Sequence, residues 1–319
     1  MSPTRLQAWA SCPHAYLLEH ILHVDVVEDP ERVLAMTVLD RGSLVHAVLD
    51  RFLAEAIAAG VPDGPWPEHH RARLRTIAEE ACDDYERRGL TGRPLFWRRD
   101  RARILAELER FLDEDDAFRR DHRARPLATE LAFGQRSSRQ GPVPFPLPDG
   151  RVVWFRGAAD RVDATAEGGL VVTDYKTGST GSYRGLGHDE PHAGGTVLQL
   201  AVYGAAARAA FGTPGTPVVA SYWFTSAKGD FERIGYPVDD MVMASVGRAV
   251  AAIADGMAAG VFLARPSAEP PWGWVECWYC DPDGLGAGEL RRSWERKRLD
   301  PALARYVDLC EPEALDGTT

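Results

Sequence analysis

The stretch RGAADRVDATAEGGLVVTDYKTGST, residues 156–180, decides the fold. It reads as two strands joined by a turn. RVVWFRGAAD carries Val, Trp and Phe, a strand composition, and the strand is expected to end at Asp160. TAEGG supplies turn chemistry, with Gly168 and Gly169 able to take φ > 0. GLVVTDYK restarts as a short apolar run with a polar end. Strand side chains alternate faces, so Asp174 and Lys176 point one way and Tyr175 the other. If the strands pair, the carboxylates of Asp160 and Asp174 and the ammonium of Lys176 converge.

That convergence has a chemical use. Two carboxylates at one spot repel each other unless a cation sits between them. Oxygen ligands favour a hard ion, Mg²⁺ or Mn²⁺. A lysine beside the ion can orient water or stabilise a charged phosphoryl oxygen. On spacing alone, a solvent-exposed hairpin with scattered charges fits equally well.

GAADRVD followed by VVTDYKTG resembles the core of the PD-(D/E)XK nuclease superfamily, in its RecB-like branch, related to CRISPR-adaptation and AddB-type nuclease domains. That branch shows G-x-x-D-R-x-D, then an apolar strand ending D-Y-K-T-G. The resemblance makes Asp160 and Asp174 metal ligands, Lys176 the catalytic lysine and the Tyr175 carbonyl a further ligand. It implies an α/β fold of restriction-endonuclease type, a small mixed sheet flanked by helices.

Outward toward the N-terminus, RPLATELAFG (125–134) reads as the first core strand, and GPVPFPLPDG (141–150) as a loop because of its prolines. Glu130 matches a glutamate frequent on this strand in RecB-like sequences, with either a structural or an outer supporting role. Residues 68–89 and 97–122 read as helices, either one wall of a DNA channel or a scaffold for the sheet. LDRGSLVHAVLDRFLAEAIAAG (39–60) is an amphipathic helix that Ser43 can cap and Gly60 can end. A lone helical His is usually structural. Here RGSLVH resembles the family's G-x-x-x-H, whose histidine ligates a catalytic metal, so His46 joins the expected ligands. SPTRLQAWASCPHAYLLEHIL opens the chain as a helix with Ser2 as N-cap and Pro3 at the first position. Cys12, Pro13 and Tyr16 match the helix that opens RecB-like domains.

Outward toward the C-terminus, residues 178–195 form a Gly-rich loop without a phosphate-binding motif, read as a cover over the site. TVLQLAVYGAAARAAFG (196–212) is a helix capped by Thr196, with Gln199 and Tyr203 on one face. The pair matches the family's Q-x-x-x-Y helix, which contacts DNA or positions the lysine. Residues 216–238 read as a β-hairpin, 241–262 as another helix and 288–309 as a helical tail. Trp294 in that tail either packs the helix or stacks on DNA. Cys277 and Cys280 form C-x-x-C. With Cys12 they match three of the four ligands of the [4Fe–4S] cluster found in many RecB-like nucleases. The fourth would fall at Gly286, which cannot ligate. Cys310, Asp281 or Asp283 could substitute, zinc could replace the cluster, or the thiols could simply pack.

The 319 residues carry 26% charged and 45% hydrophobic residues and a net charge of −10, an ordinary globular composition that argues against an indiscriminate nucleic-acid coat. Arginines nonetheless cluster at 87–103, 119–126 and 291–298. No apolar run approaches the ~20 residues that span a bilayer, and no signal-peptide pattern opens the chain. A cytoplasmic location without membrane contact is expected. Five cysteines, an odd number, favour free thiols over disulfides.

The expected organisation is one nuclease domain over 1–319, with a helical insertion at 47–125, a catalytic core at 126–265 and a cysteine-containing tail at 266–319. The expected function is Mg²⁺- or Mn²⁺-dependent DNA hydrolysis, exonucleolytic by resemblance, in repair or recombination, acting on single strands or duplex ends. The rival readings are a catalytically silent nucleic-acid-binding module and a structural subunit that docks a helicase. No G-x-x-x-x-G-K-[ST] motif occurs, so any motor is expected from another chain.

Overall fold

The computed structural model describes residues 1–24, 34–266, 277–282 and 287–311. The chain opens with α1 (Pro3–Ser11) and α2 (Pro13–Tyr16). Three long helices follow: α3 (Val38–Ala59), α4 (Glu68–Arg87) and α5 (Pro94–Asp121). The cap of α3 is Thr37 rather than Ser43: the Thr37 side chain accepts the Asp40 N–H at 3.0 Å, leaving Ser43 inside the helix. Gly60 ends it, with φ +97°.

The strands are β1 (Ala124–Phe133), β2 (Val143–Pro146), β3 (Val152–Phe155), β4 (Gly157–Thr165) and β5 (Leu170–Lys176). The expected 141–150 loop thus contains a strand. Pro144 and Pro146 alternate with buried Val143 and Phe145, so the donor-less residues all sit on the outer face of a two-stranded hairpin, β2 with β3. The strand expected to end at Asp160 is two strands, and the second runs on to Thr165.

Beyond β5 come α6 (Gln199–Phe211), β6 (Val218–Phe224), β7 (Arg233–Pro237), α7 (Asp240–Ala258), α8 (Gly288–Lys297) and α9 (Ala304–Cys310). Thr196 does not cap α6. It closes the preceding turn, its hydroxyl donating to Ala193 O at 2.7 Å. By length and composition α7 is apolar enough to cross a membrane, yet Val242, Val246, Val250 and Ile253 bury one face of it in the core.

The main sheet has the order β1-β4-β5-β6-β7. All its pairs are antiparallel except β5 with β6. A parallel pair needs a crossover, and α6 provides it. One face packs Trp9, Phe133, Val172, Val202 and Val250 under α1, α6, α7 and α9. The other packs Leu44, Phe52, Ile104 and Phe111 of α3 and α5 against Tyr175 and Trp223. Each such side chain contributes roughly 1.5–3 kcal/mol by burial. Together these elements make a mixed α/β sheet flanked by helices.

Two contacts fasten the layers. Arg161, fully buried, donates to Asp163 at 2.7 and 2.8 Å and to Asp115 of α5 at 2.6 Å. Gly256 of α7 has no side chain because Trp9 lies there; a Cβ would stand 2.3 Å from the indole.

Candidate active site

The β4–β5 ladder pairs Arg161 with Thr173 and goes no further toward Asp160. Past that point the strands fork. The Asp160 carboxylate fills the gap and accepts the Tyr175 N–H at 2.7 Å. The Tyr175 carbonyl lies 3.0 Å from His46 Nε2, and His46 Nδ1 lies 3.4 Å from Asp160. His46 comes from α3, which crosses the sheet over β1 and β4. Glu130, at the β1 position facing Asp160, completes the group: ligand atoms of His46, Glu130 and Asp160 all lie within 4.8 Å of one another. Its φ is +43°, a left-handed conformation that a non-glycine residue adopts at a cost of order 1–3 kcal/mol.

Asp174 and Lys176 sit beside this group. Lys176 Nζ is ion-paired to Asp174, which also receives Gln199 Nε2 at 3.4 Å. Gln199 Nε2 lies 3.2 Å from the Tyr203 hydroxyl, and Tyr222 donates its hydroxyl to Gln199 Oε1 at 3.3 Å. The Tyr222 ring lies under Lys176 Nζ, 4.7 Å to its centroid. Tyr183, from the Gly-rich loop, packs at a tilt against Tyr222 with ring centroids 4.8 Å apart. The structure thus brings His46, Asp160, Asp174, Tyr175, Lys176, Gln199 and Tyr203 to one end of the sheet.

Electrostatics follow from crowding. Burial pulls the His46 imidazole down, but the Asp160 hydrogen bond and the Asp160 and Asp174 charges outweigh it and hold the pKa above the ordinary value. Desolvation, then the Asp160 and Asp50 charges, push Glu130 up to about 7. Burial also pulls Lys176 down, and the neighbouring Asp174 charge more than restores it, so the ammonium stays protonated. Three carboxylate or carbonyl donors and one imidazole are a fitting set for Mg²⁺ or Mn²⁺. His46, Glu130, Asp160 and the Tyr175 carbonyl could hold it.

Sequence reasoning did not place Glu130 among these groups and passed over Asp50, Tyr183 and Tyr222. Asp50 had a signal, since it follows His46 by four residues on the same helix face. Tyr222 is set opposite Asp174 only by the β5–β6 register, which no local pattern announces.

A second group joins the N-terminal helices to the C-terminal segment. Thiols of Cys12, Cys277 and Cys280 lie within 4.8 Å of one another, Cys12 and Cys280 at 3.7 Å. Hydrogen bonds from Cys277 and Cys280, then from the Ala15 and Arg265 backbone, hold the Cys12 thiol well down as a thiolate. The neighbouring Cys12 sulfur pushes the Cys277 and Cys280 thiols up, and three sulfurs so grouped suit a soft metal or an iron–sulfur cluster, which would take them as thiolates. Cys310 packs elsewhere, against Gly194, and Asp283 and Gly286 lie outside the described residues. Cys82 is buried and pushed up to about 11 by desolvation, unrelated to either site.

The arginine clusters are largely neutralised. Arg87, Arg88, Arg99 and Arg101 pair with acids of α4 and α5. Arg119, Arg120 and Arg123 pair with Asp115, Asp121 and Glu167. Arg292 and Arg298 pair with Glu289 and Glu311. Trp294 is buried edge-on to Tyr306, so it packs the tail rather than presenting a stacking face.

The mixed sheet with acidic groups and a lysine at a strand fork is the core of a nuclease fold. The profile of the PD-(D/E)XK nuclease superfamily matches residues 1–283, and the chain belongs to that superfamily. It is similar to a subunit of the ATP-dependent helicase/deoxyribonuclease of Clostridium perfringens, 26% identical over 196 residues, 56% of this chain and 15% of that protein. The like-named protein of Symbiobacterium thermophilum is 28% identical over 212 residues, 63% of this chain and 17% of that protein. That of Lacticaseibacillus casei is 30% identical over 167 residues, 50% and 14%. The chain therefore covers a small part of the length of these relatives.

Proposed function

We propose that this chain is a Mg²⁺- or Mn²⁺-dependent deoxyribonuclease that hydrolyses phosphodiester bonds, exonucleolytically, in DNA repair or recombination. The observation that carries the reading is the grouping of His46, Glu130 and Asp160 beside the Asp174–Lys176 pair. His46, Glu130, Asp160 and the Tyr175 carbonyl would hold the ion, with Asp174 counted among the ligands by family resemblance. When bound, the ion supplies Lewis-acid polarisation of a phosphoryl oxygen.

The chain's own groups do the rest. Lys176, kept cationic by Asp174, is an N–H donor to a phosphoryl oxygen as charge builds there. Gln199 restrains Asp174 through its amide and is itself restrained by Tyr203 and Tyr222. In the reaction a water oxygen bonds to phosphorus and the ester P–O bond breaks, leaving a phosphate and a hydroxyl end.

A helicase partner is part of this proposal, supported by the names of the relatives. Thiolate metal binding by Cys12, Cys277 and Cys280 is another part, supported by their proximity. The test is degradation of linear single-stranded DNA with Mg²⁺ or Mn²⁺, comparing the native chain with Asp174→Ala and Lys176→Ala. Loss of cleavage in both variants is expected; cleavage unaffected by either rejects the assigned site.

A further inference from the structure

Most described arginines of this chain are tied to acids, but a neighbouring, exposed group on one turn and strand is not. Arg136, Arg139 and Arg156 have no acidic partner among the described residues. Arg136 and Arg139 lie on the turn after β1. That turn is closed by Gly134 N–H donating to Gln140 O at 3.0 Å, and Ser138 Oγ accepts the Gln135 N–H at 3.0 Å. The Gln140 side chain fastens it to α6 by donating to Ala206 O at 3.0 Å. Arg156 stands next to it: a Cβ on Gly134 would lie 2.9 Å from the Arg156 Cβ. Gln135 Nε2 reaches Gly157 O at 3.4 Å. In a chain of net charge −10, this is a local surplus of cations held on a rigid turn.

Its placement gives it meaning. Along β3 and β4, Val153, Phe155 and Ala159 face the core, and Gly157 faces Tyr203. The alternate residues Val152, Trp154, Arg156 and Ala158 therefore face outward. Trp154 is 55% exposed, a large apolar side chain left in solvent. β4 leads on to the metal-ligand group, since β1 and β4 pair Phe133 with Gly157 and Leu131 with Ala159, just short of Glu130 and Asp160. Ala132 and Ala158, paired across the strands and only partly covered, make a low floor between. From Asp160 to Arg156 is four residues of strand, about 13 Å.

We propose that Arg136, Arg139, Arg156 and Trp154 form the track that guides a single DNA strand to the Asp160 end of the sheet. The arginines take successive phosphates and Trp154 takes the face of a base. An extended strand suits the track because a base must be unstacked to meet an indole, whereas phosphates alone would serve a duplex. The assignment rests on the nuclease reading for its direction, but its binding chemistry can be tested apart from cleavage.

The experiment measures binding of a fluorescent single-stranded oligonucleotide by anisotropy across a salt series. The background is Asp174→Ala, so that no strand is cut. Adding Arg136→Gln, Arg139→Gln and Arg156→Gln together is expected to lower the slope of log K against log salt by about 2, from about 0.7 per phosphate lost. Adding Trp154→Ala alone is expected to weaken single-strand binding about tenfold and to leave duplex binding unchanged. None of these exposed side chains holds another element, and circular dichroism checks that each variant is folded. An unchanged salt slope in the triple variant, or unchanged single-strand affinity in Trp154→Ala, overturns the track. If the native chain cuts DNA while the track variants bind normally, the track falls and the nuclease reading stands. If the native chain does not cut but the track variants lose binding, the reverse holds.

Discussion

The Asp160 carboxylate caps the backbone N–H of Tyr175 at 2.7 Å, at the point where β4 and β5 stop pairing. One side chain therefore does a structural task and offers a ligand charge. The two can be separated. Asp160→Asn keeps an oxygen acceptor for the N–H and removes the charge. It is expected to retain native stability while losing at least about tenfold in metal affinity. Asp160→Ala leaves the N–H unpaired and is expected to cost about 1–3 kcal/mol of stability as well. Equal denaturation midpoints for the two variants would contradict the capping role.

Metal binding should depend on pH with a definite sign. Without the ion, Glu130 is pushed up to about 7 and His46 lies above its ordinary value. Each must release its proton before it can ligate. Affinity is expected to rise as pH rises through about 7, with protons released on binding. Titration calorimetry in buffers of different ionisation enthalpy measures that release. For the ion-free fold the sign is opposite: a carboxyl whose pKa is raised from 4.5 to about 7 loses stability as pH rises through that window.

Tyr222 offers Lys176 a ring face and Gln199 a hydroxyl. Tyr222→Phe removes only the hydroxyl and should cost roughly 0.5–1.5 kcal/mol in the site's hydrogen bonding. Tyr222→Leu removes the cation–π contact too, worth about 0.5–2 kcal/mol. Cleavage is expected to fall in the order native, Phe, Leu, with the Lys176 pKa lowest in the Leu variant. Isotope-labelled lysine ε-methylene resonances report that pKa, and an unshifted value in Leu would remove Tyr222 from the lysine's support.

Arg161→Met tests the fastening between α5 and the sheet. It strands the buried carboxylates of Asp115 and Asp163. Removing one partner from such a network costs about 3–5 kcal/mol. A urea midpoint shift much smaller than this would show that the network does not hold the layers.

The thiol group predicts bound metal. Cys12→Ser should release it and lower the thermal midpoint, by an amount set by metal saturation, about 2.7 kcal/mol at 100-fold excess over Kd. Elemental analysis and the visible spectrum of anaerobically purified protein distinguish zinc from iron–sulfur. Metal-free native protein would reduce the three thiols to packing.

Local chemistry wrote much of this protein into its sequence. The turn at Gly168, the alternation that puts Asp174 and Lys176 on one face, and the periodicity of the helix carrying His46 are short-range effects, set by backbone sterics and side-chain spacing. Only the tertiary structure decided that Glu130, thirty residues before Asp160, stands against it, that Tyr222 lies under Lys176, and that Arg161 and Asp163 turn to α5 instead of the metal-ligand group. Those outcomes depend on strand register and layer packing, which join residues far apart in the chain, and no local propensity encodes them.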